Sequence, residues 1–586
     1  MALAYVAEQK GGILERIRKR KETEKQQTRT ELQPLLSAAG LQASAGQSVA
    51  ARASYKQILA LDPDWPEALN AFGWFLYNQS VEMDRNSTLA AAFADAEEAH
   101  SFATRWHETG PVVAGARRLL TATNSQMGTV LLKRGQAGDA DKALAHYTRS
   151  LELAEKLLTD YPAWALAKHD VSSSSEKLGD FLSKRGQPGD ADAAFKHYTR
   201  ENEIFWMLLV ETPDSAEARR DAAMSLGKLG ELLTERAQPG DKDKAFDYLT
   251  RFVEQCEKLL ADNPDSAKAR RDAYISLQKL GDFLAERAQP GDKDKALDDF
   301  TRSLELAEKL LAETPDSTEA KLDVASCQDR LGLFLAERGQ PGDADAALKH
   351  YTRENEMTEK LLAENPGSAE AKHAVAVSVQ RFGDLLVKRG RPGDADKAID
   401  NFTRSLALRE KLLTDNPNSV QAVRDVCMGL DKLGELLTQR AQPGDADKAL
   451  TQYTRSLELR EKLLADNPGS TDTKRDVCMG LENLGEFLIK RGQPGDADKA
   501  HAYYDRSLEI EAKLLTENPG SAWAVEDVVG SHSKLAGFAA KLGDKKGEAL
   551  HRHIIFDLLK PYVERGGTFD PATMKLYGEV KAEFAK

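Results

Sequence analysis

Two rows of charge recur along the chain, one on each side of a repeated glycine. Lys177, Lys228, Lys279, Arg330, Arg381 and Lys432 stand two residues before it, and Asn483 takes the next place in the row. Asp180, Glu231, Asp282, Asp384, Glu435 and Glu486 stand one residue after it. A cation and a carboxylate three residues apart share one face of a helix, so each couple is able to neutralise itself locally. A different chemistry is concentrated at Ile204-Phe205-Trp206-Met207-Leu208-Leu209-Val210. The matching run elsewhere reads Leu-Ala-Glu-Lys-Leu-Leu, as at Leu153 to Leu158, so Trp206 and Met207 replace Glu155 and Lys156. Large apolar side chains at positions charged in sister segments point to a contact surface. Phe205, Trp206 and Met207 are therefore candidates to anchor a partner or a second copy of the chain. The competing reading is local packing against a neighbouring element.

Reactive chemistry is hard to assemble from the remaining residues. The chain has no phosphate-binding glycine loop, no dinucleotide fingerprint after a strand, no HExxH and no nucleophile elbow. His551 and His553 flank Arg552 without a carboxylate at ligand spacing. Cys256, Cys327, Cys427 and Cys478 form no CxxC pair and read as small apolar helix residues of a reducing compartment. No enzymatic activity, cofactor or metal is expected.

The element that must position all this is a stretch written eight times, R-G-Q-P-G-D-A-D-K-A in its commonest form at Arg491 to Ala500. Its glycine falls at Gly138, Gly189, Gly240, Gly291, Gly342, Gly393, Gly444 and Gly495, a step of 51 residues. A fixed long period marks an array of stacked units rather than separate domains. Between the loops, apolar residues follow the helical spacing, as in Ala218, Ala222, Leu226, Leu229, Leu232 and Leu233. Helices are expected over about Asp214 to Arg236 and from the loop to Asn263. Pro239-Gly240 suits a type II turn and Asp241 a helix N-cap. Arg236 and its seven counterparts are expected to pair with the aspartate three residues after the loop glycine, such as Asp243 or Asp498. Gly230 is expected where the second helix comes close.

These landmarks resemble the tetratricopeptide repeat. Ala51, Tyr55, Ile58 and Pro63 followed by Phe72, Gly73 and Leu76 keep the family's spacing. From Pro111 onward the glycine, alanine and proline landmarks persist, but their steps lengthen by three, seven and seven residues, turning a 34-residue unit into one of 51. Seven residues are close to two helical turns, so the apolar face stays in phase. The resemblance implies an all-α, right-handed superhelical solenoid of antiparallel helix hairpins. It also implies that the first helix of each unit lines a groove for partner peptides. The basic row is then a candidate gripping surface, as an alternative to pairing within each helix. The Lys/Asn/Arg set of the family's carboxylate-binding members is not present, so that specificity does not carry over.

The expected organisation is a basic helical cap over 1–45, units of near-standard length over 46–110, eight extended units over 111–519, and a degenerate unit with a capping helix over 520–586. The first helix is expected to begin near Ile13, after Gly11 and Gly12, and to break at Pro34. Asp570-Pro571 should open a last helix running through Phe584. Residues 1–30 hold eight Lys/Arg against four Glu, whereas the whole chain of 586 residues carries a formal charge of −13. That balance disfavours nucleic acid and anionic membranes as partners of the body. No apolar run is long enough to span a bilayer, and the start lacks a basic n-region, so a cytoplasmic location is expected. The function expected is a binding scaffold for a protein or peptide. Two alternatives are a self-assembling structural protein, hence a homo-oligomer or filament, and a regulatory subunit of a multiprotein effector.

Overall fold

The computed structural model describes residues 2–85, 88–109, 114–136, 138–567 and 569–584. Of residues 2–20 it describes the backbone only, so the side chains of the basic cluster from Arg16 to Arg20 lie outside the described residues, as does Pro111. The described residues form 23 α-helices and no strand. This is the expected all-α solenoid of antiparallel helix hairpins. The chain divides into two compact units, Met1–Phe181 and Leu182–Lys586.

In the first unit α1 (Ala2–Ser44) precedes α2 (Ser48–Leu61), α3 (Pro66–Arg85) and α4 (Leu89–Thr109). The expected start at Ile13 and break at Pro34 do not occur: α1 is one helix that runs through Gly11, Gly12 and Pro34. A glycine lowers helix stability by only about 1 kcal/mol, which does not end a helix by itself. Beyond Pro34, Leu36 and Ala39 are buried in a cluster with Tyr55 and Phe72, so packing holds the last turns. α2 is a short helix, whereas α3 and α4 are already long.

The regular series follows. Its first helices, here called A helices, are α5 (Ala114–Arg134), α7 (Ala165–Arg185), α9 (Ala216–Arg236), α11 (Ala267–Arg287), α13 (Thr318–Arg338), α15 (Ala369–Arg389), α17 (Val420–Arg440) and α19 (Thr471–Arg491). Each begins 51 residues after the last. Their B partners are α6 (Asp139–Asp160), α8 (Asp190–Glu211), α10 (Asp241–Asp262), α12 (Asp292–Glu313), α14 (Asp343–Glu364), α16 (Asp394–Asp415), α18 (Asp445–Asp466) and α20 (Asp496–Glu517). The chain ends with α21 (Ala522–Lys541), α22 (Lys545–Glu564) and α23 (Pro571–Phe584). Asp570 caps α23 as expected, its Oδ1 accepting the backbone N–H groups of Ala572 and Thr573 at 2.8 and 3.1 Å.

Local chemistry sets the hairpin. In the loop before α10, Asp241 N–H donates to the Gln238 carbonyl at 3.0 Å, and Gly240 has φ +85° and ψ −5°. That is a type II turn around Pro239-Gly240. Asp241 is not the N-cap: Gly240 holds that place, and Asp241 is the first residue of the helix. Its carboxylate is taken instead by Arg236, at 2.8 and 2.6 Å through Nε and Nη2, while Gln238 N–H donates to it at 3.0 Å. Asp243, expected to be the partner of Arg236, is not: the clamp uses the aspartate next to the glycine. The residue equivalent to Asp243 in the preceding unit, Asp192, accepts from Arg236 Nη1 at 2.9 Å. Arg236 thus ties its own turn and the neighbouring loop together. The same fork joins Arg440 to Asp445 and reaches Asp396 at 2.7 Å. Each A helix of the second unit from α9 to α19 starts on a serine, such as Ser215, whose hydroxyl accepts the Ala218 N–H at 3.1 Å.

Gly230 is required by the crossing of α9 and α10. A methyl group there would lie 2.5 Å from Leu249 Cγ. Consecutive A helices also touch one another, as α9 and α11, α11 and α13, α13 and α15, and α17 and α19 do. The backbones of consecutive B helices do not approach as closely among the described residues. The A helices therefore take the inner side of the second unit's curve.

Candidate functional site

The inner face is built from the A-helix residues that flank the packed glycine. Here the charge rows meet, but not as helix-internal pairs. Lys279 pairs with Glu231 and Arg330 with Asp282. Lys432 Nζ lies 3.7 Å from Asp384, and Arg381 Nε lies 3.5 Å from Asp329. Each of these acids lies on the preceding A helix. Lys228 reaches the buried Glu201 of α8 at 3.2 Å. Lys177 is half-buried on α7. Pairs that bridge units are in reach because adjacent A helices lie side by side. Burial raises the Asp282 and Asp384 carboxyls and lowers the Lys279 ammonium. A second ladder on the B helices joins Arg404 to Glu359 at 2.5 Å and Arg455 to Glu410 at 2.6 Å. Half-exposed pairs of this kind contribute little individually, about 0–1 kcal/mol. Their number fixes the register of one unit on the next.

The apolar run of α8 divides between interior and surface. Trp206 packs on the cluster of Ala223, Leu226 and Phe252, and the Arg251 guanidinium stands 5.8 Å above its ring. Phe205 is half-buried. Met207 is 47% exposed, and Val210, four residues from Trp206, is 77% exposed. The outward part of this run is thus Met207 with Val210.

Sequence reasoning missed a third feature, between α17 and α19. In two successive units the A helix carries glycine, Gly429 and Gly480, where α7, α9, α11 and α15 carry Ser174, Ser225, Ser276 and Ser378. In the B helix before each, arginine, Arg409 and Arg460, stands where α6 and α12 carry Ala154 and Ala307. The two changes fit each other. A methyl group on Gly480 would lie 3.2 Å from Arg460 Cδ and Nη1. Removing the serine side chain lets the arginine of the outer helix cross the A helix and reach the inner face. Arg409 completes its bonds there, donating to the Asp425 carbonyl at 2.8 Å and to Gln380 Oε1 at 2.7 Å. Arg460, its side chain 6% exposed, donates through Nη2 to Asp431 Oδ2 at 2.7 Å, and Met479 Sδ lies 3.6 Å from the same nitrogen. Arg460 Nη1 and Asp431 Oδ1 are buried and have no hydrogen-bond partner.

Above this pair opens a cavity of about 800 Å³, lined among others by Arg424, Met428, Asp431, Lys432, Tyr453, Arg460, Met479 and Phe487. Met428 and Met479, one period apart, are 42% and 50% exposed. Flexible thioethers at the mouth of a cavity with a buried guanidinium in its wall suit a ligand that is part apolar and part polar. Lys432 of the basic row is one of the lining residues.

No family model matches the chain. Over 187 residues it is 28% identical to the Photosystem I assembly protein Ycf3 of Synechococcus sp. (strain WH7803), covering 30% of this chain and 85% of that protein. Over 175 residues it is 26% identical to Protein NCA1 of Arabidopsis thaliana, covering 29% of this chain and 40% of the plant protein, less than half its length. Among solved structures, the apo form of the quorum sensor NprR from B. thuringiensis aligns with a TM-score of 0.37 at 13% identity, over 73% of this chain and 98% of that one.

The four cysteines are free and buried. Burial pushes the Cys256, Cys327 and Cys478 thiols up to about 12, away from the reactive thiolate. No group of three or more metal-ligating side chains occurs among the described residues. No described helix is long and apolar enough to cross a membrane.

Proposed function

We propose that the chain is a non-enzymatic scaffold built from extended, 51-residue tetratricopeptide-like units, and that it holds a protein or peptide partner on its A-helix face. The observation that carries this reading is the cavity between α17 and α19, with Met428 and Met479 exposed at its mouth. Most of the inner face is occupied by ion pairs that link units, so its charge is spent on architecture. At α17 and α19 two coupled positions, the glycine of the A helix and the arginine of the B helix before it, differ from most sister units. A departure repeated in two adjacent units, with a cavity above it, supports a seat for a ligand. The basic row, including Lys432, would border the partner rather than grip it alone.

A second surface is supported by the exposed Met207 and Val210 on α8. Phe205 and Trp206 would support such a contact from beneath, and a second copy of the chain is the simplest occupant. Light scattering over a concentration series reads this directly: rising mass that Met207→Glu abolishes supports self-association there, and a constant monomer mass contradicts it. For the main reading, the test is binding of peptides selected on the full chain. Binding should fall at least tenfold in the Met428→Glu/Met479→Glu variant. Peptides held equally well by that variant would contradict the α17–α19 seat.

A further inference from the structure

Resting on the α17–α19 seat just proposed, the geometry points to a specific chemistry for its occupant. We propose that the cavity recognises an uncharged carboxamide, the side chain of Gln or Asn in a partner peptide, flanked by an apolar residue that packs on Met428 and Met479.

Three cations of the cavity wall are already matched. Arg424 is held by Asp476 at 2.7 Å, Lys490 by Glu486 at 2.9 Å, and Arg460 by Asp431 at 2.7 Å. An acidic ligand approaching Arg460 meets the Asp431 carboxylate, and a basic ligand approaching Asp431 meets the Arg460 guanidinium. Either would have to break an ion pair before making one, and a half-broken buried pair is strongly destabilising. What the wall leaves open is one donor and one acceptor, Arg460 Nη1 and Asp431 Oδ1. They are the remaining polar atoms of the two partners of one ion pair, which is joined through Nη2 and Oδ2. A buried donor or acceptor without a partner costs about 1–3 kcal/mol. A carboxamide supplies the complement in one rigid group: its C=O accepts from Nη1 and its N–H donates to Oδ1.

The contact to Met479 fits this. A thioether sulfur is a weak acceptor, yet here it stands 3.6 Å from Arg460 Nη2. Met479 covers the ion pair with a flexible, exposed side chain that can turn aside and then serve as an apolar wall. The arginine in the preceding unit shows what completion looks like. Arg409 Nη2 is already bonded to a carboxamide, Gln380 Oε1 at 2.7 Å. Arg460 has Asp431 at the corresponding place, one unit on from Gln380; the Asn483 amide donates to Asp431 Oδ2 at 3.1 Å, which leaves Arg460 Nη1 without an amide oxygen of its own. The ligand would supply it.

The test starts from random heptapeptides displayed and selected on the full chain, followed by titration of synthetic hits by fluorescence anisotropy. Hits should share Gln or Asn beside an apolar residue. Replacing that residue by Ala or Glu should weaken binding at least tenfold. The protein variant Arg460→Ala/Gly480→Ser restores the pair that sister units carry as Ala154 and Ser174, and adding Asp431→Gln avoids a stranded carboxylate. This triple variant should fold as the wild type by circular dichroism and lose the Gln/Asn preference. If hits still depend on Met428 and Met479 but are indifferent to their amide and to the triple variant, the open atoms hold water only. The amide proposal is then overturned while the seat stands. If no hit depends on Met428 and Met479, both fail.

Discussion

At the scale of single residues the clearest departures from ideal geometry are Ala237, Ala288 and Ala441. They end α9, α11 and α17 with φ of 50°, 51° and 51°. Sister units place glycine there, as at Gly339 with φ 66°. A methyl-bearing residue in the left-handed region is disfavoured by about 1–2 kcal/mol, partly offset by the extra freedom glycine has when unfolded. Ala237→Gly, Ala288→Gly and Ala441→Gly should each stabilise by roughly 0.5–1 kcal/mol, measured by urea denaturation. Glu354 is a second outlier, buried where five other units carry Ser150, Ser303, Ser405, Ser456 and Ser507. Burial, then Asp329 beside it, pushes its carboxyl up to about 9. The unfolded chain releases this proton near the ordinary value of 4.5, so the folded state binds one proton more between pH 4.5 and about 9. Stability linked to Glu354 is therefore intact below pH 4.5 and is lost as pH rises towards 9. Glu354→Gln should raise Tm by several degrees at pH 8, with the gap closing towards pH 5.

At the scale of elements, Gly230 shows how tightly the hairpin is drawn. Gly230→Ala must push Leu249 aside, and overpacking of this kind costs about 1–3 kcal/mol. Calorimetry should show a lower Tm, and Leu249→Ala in the same chain should recover part of the loss. The hairpin elements were legible in sequence because their signals are local. Pro239-Gly240 fixes a turn by its own torsions, and Gly230 marks a crossing within one unit. The partner of Arg236 lies two residues nearer the loop than expected: both aspartates are in the first turn of α10, and Asp241 is buried against the turn whereas Asp243 is exposed. Partners of the charge rows were not legible at all. Lys279 to Glu231 depends on how one A helix lies beside the next, which no single unit encodes. The α17–α19 seat was written in the chain as Gly429 with Arg409 and Gly480 with Arg460. It emerges only when units are compared position by position and the two helices are known to cross there.

At the scale of the whole molecule, the second unit brings distant parts of its own chain together. Tyr562 of α22 points its hydroxyl at the Gly186 carbonyl, 3.4 Å away, across 376 positions of sequence. Asp190 in the same loop adds to the burial that pushes the phenol up to about 12. This contact brings the end of the second unit back to its beginning. A chain truncated after Gly543 should show faster hydrogen exchange in residues 186–190, with α11 to α16 unchanged. Equal exchange in both chains would contradict the contact.

The central claim is that a partner peptide sits between α17 and α19. Methyl-labelled methionine NMR on the full chain, titrated with a selected peptide, reads that site most directly. Seating in the cavity shifts the Met428 and Met479 methyl signals together and leaves Met207 in place. Unchanged Met428 and Met479 signals at saturating peptide would contradict it.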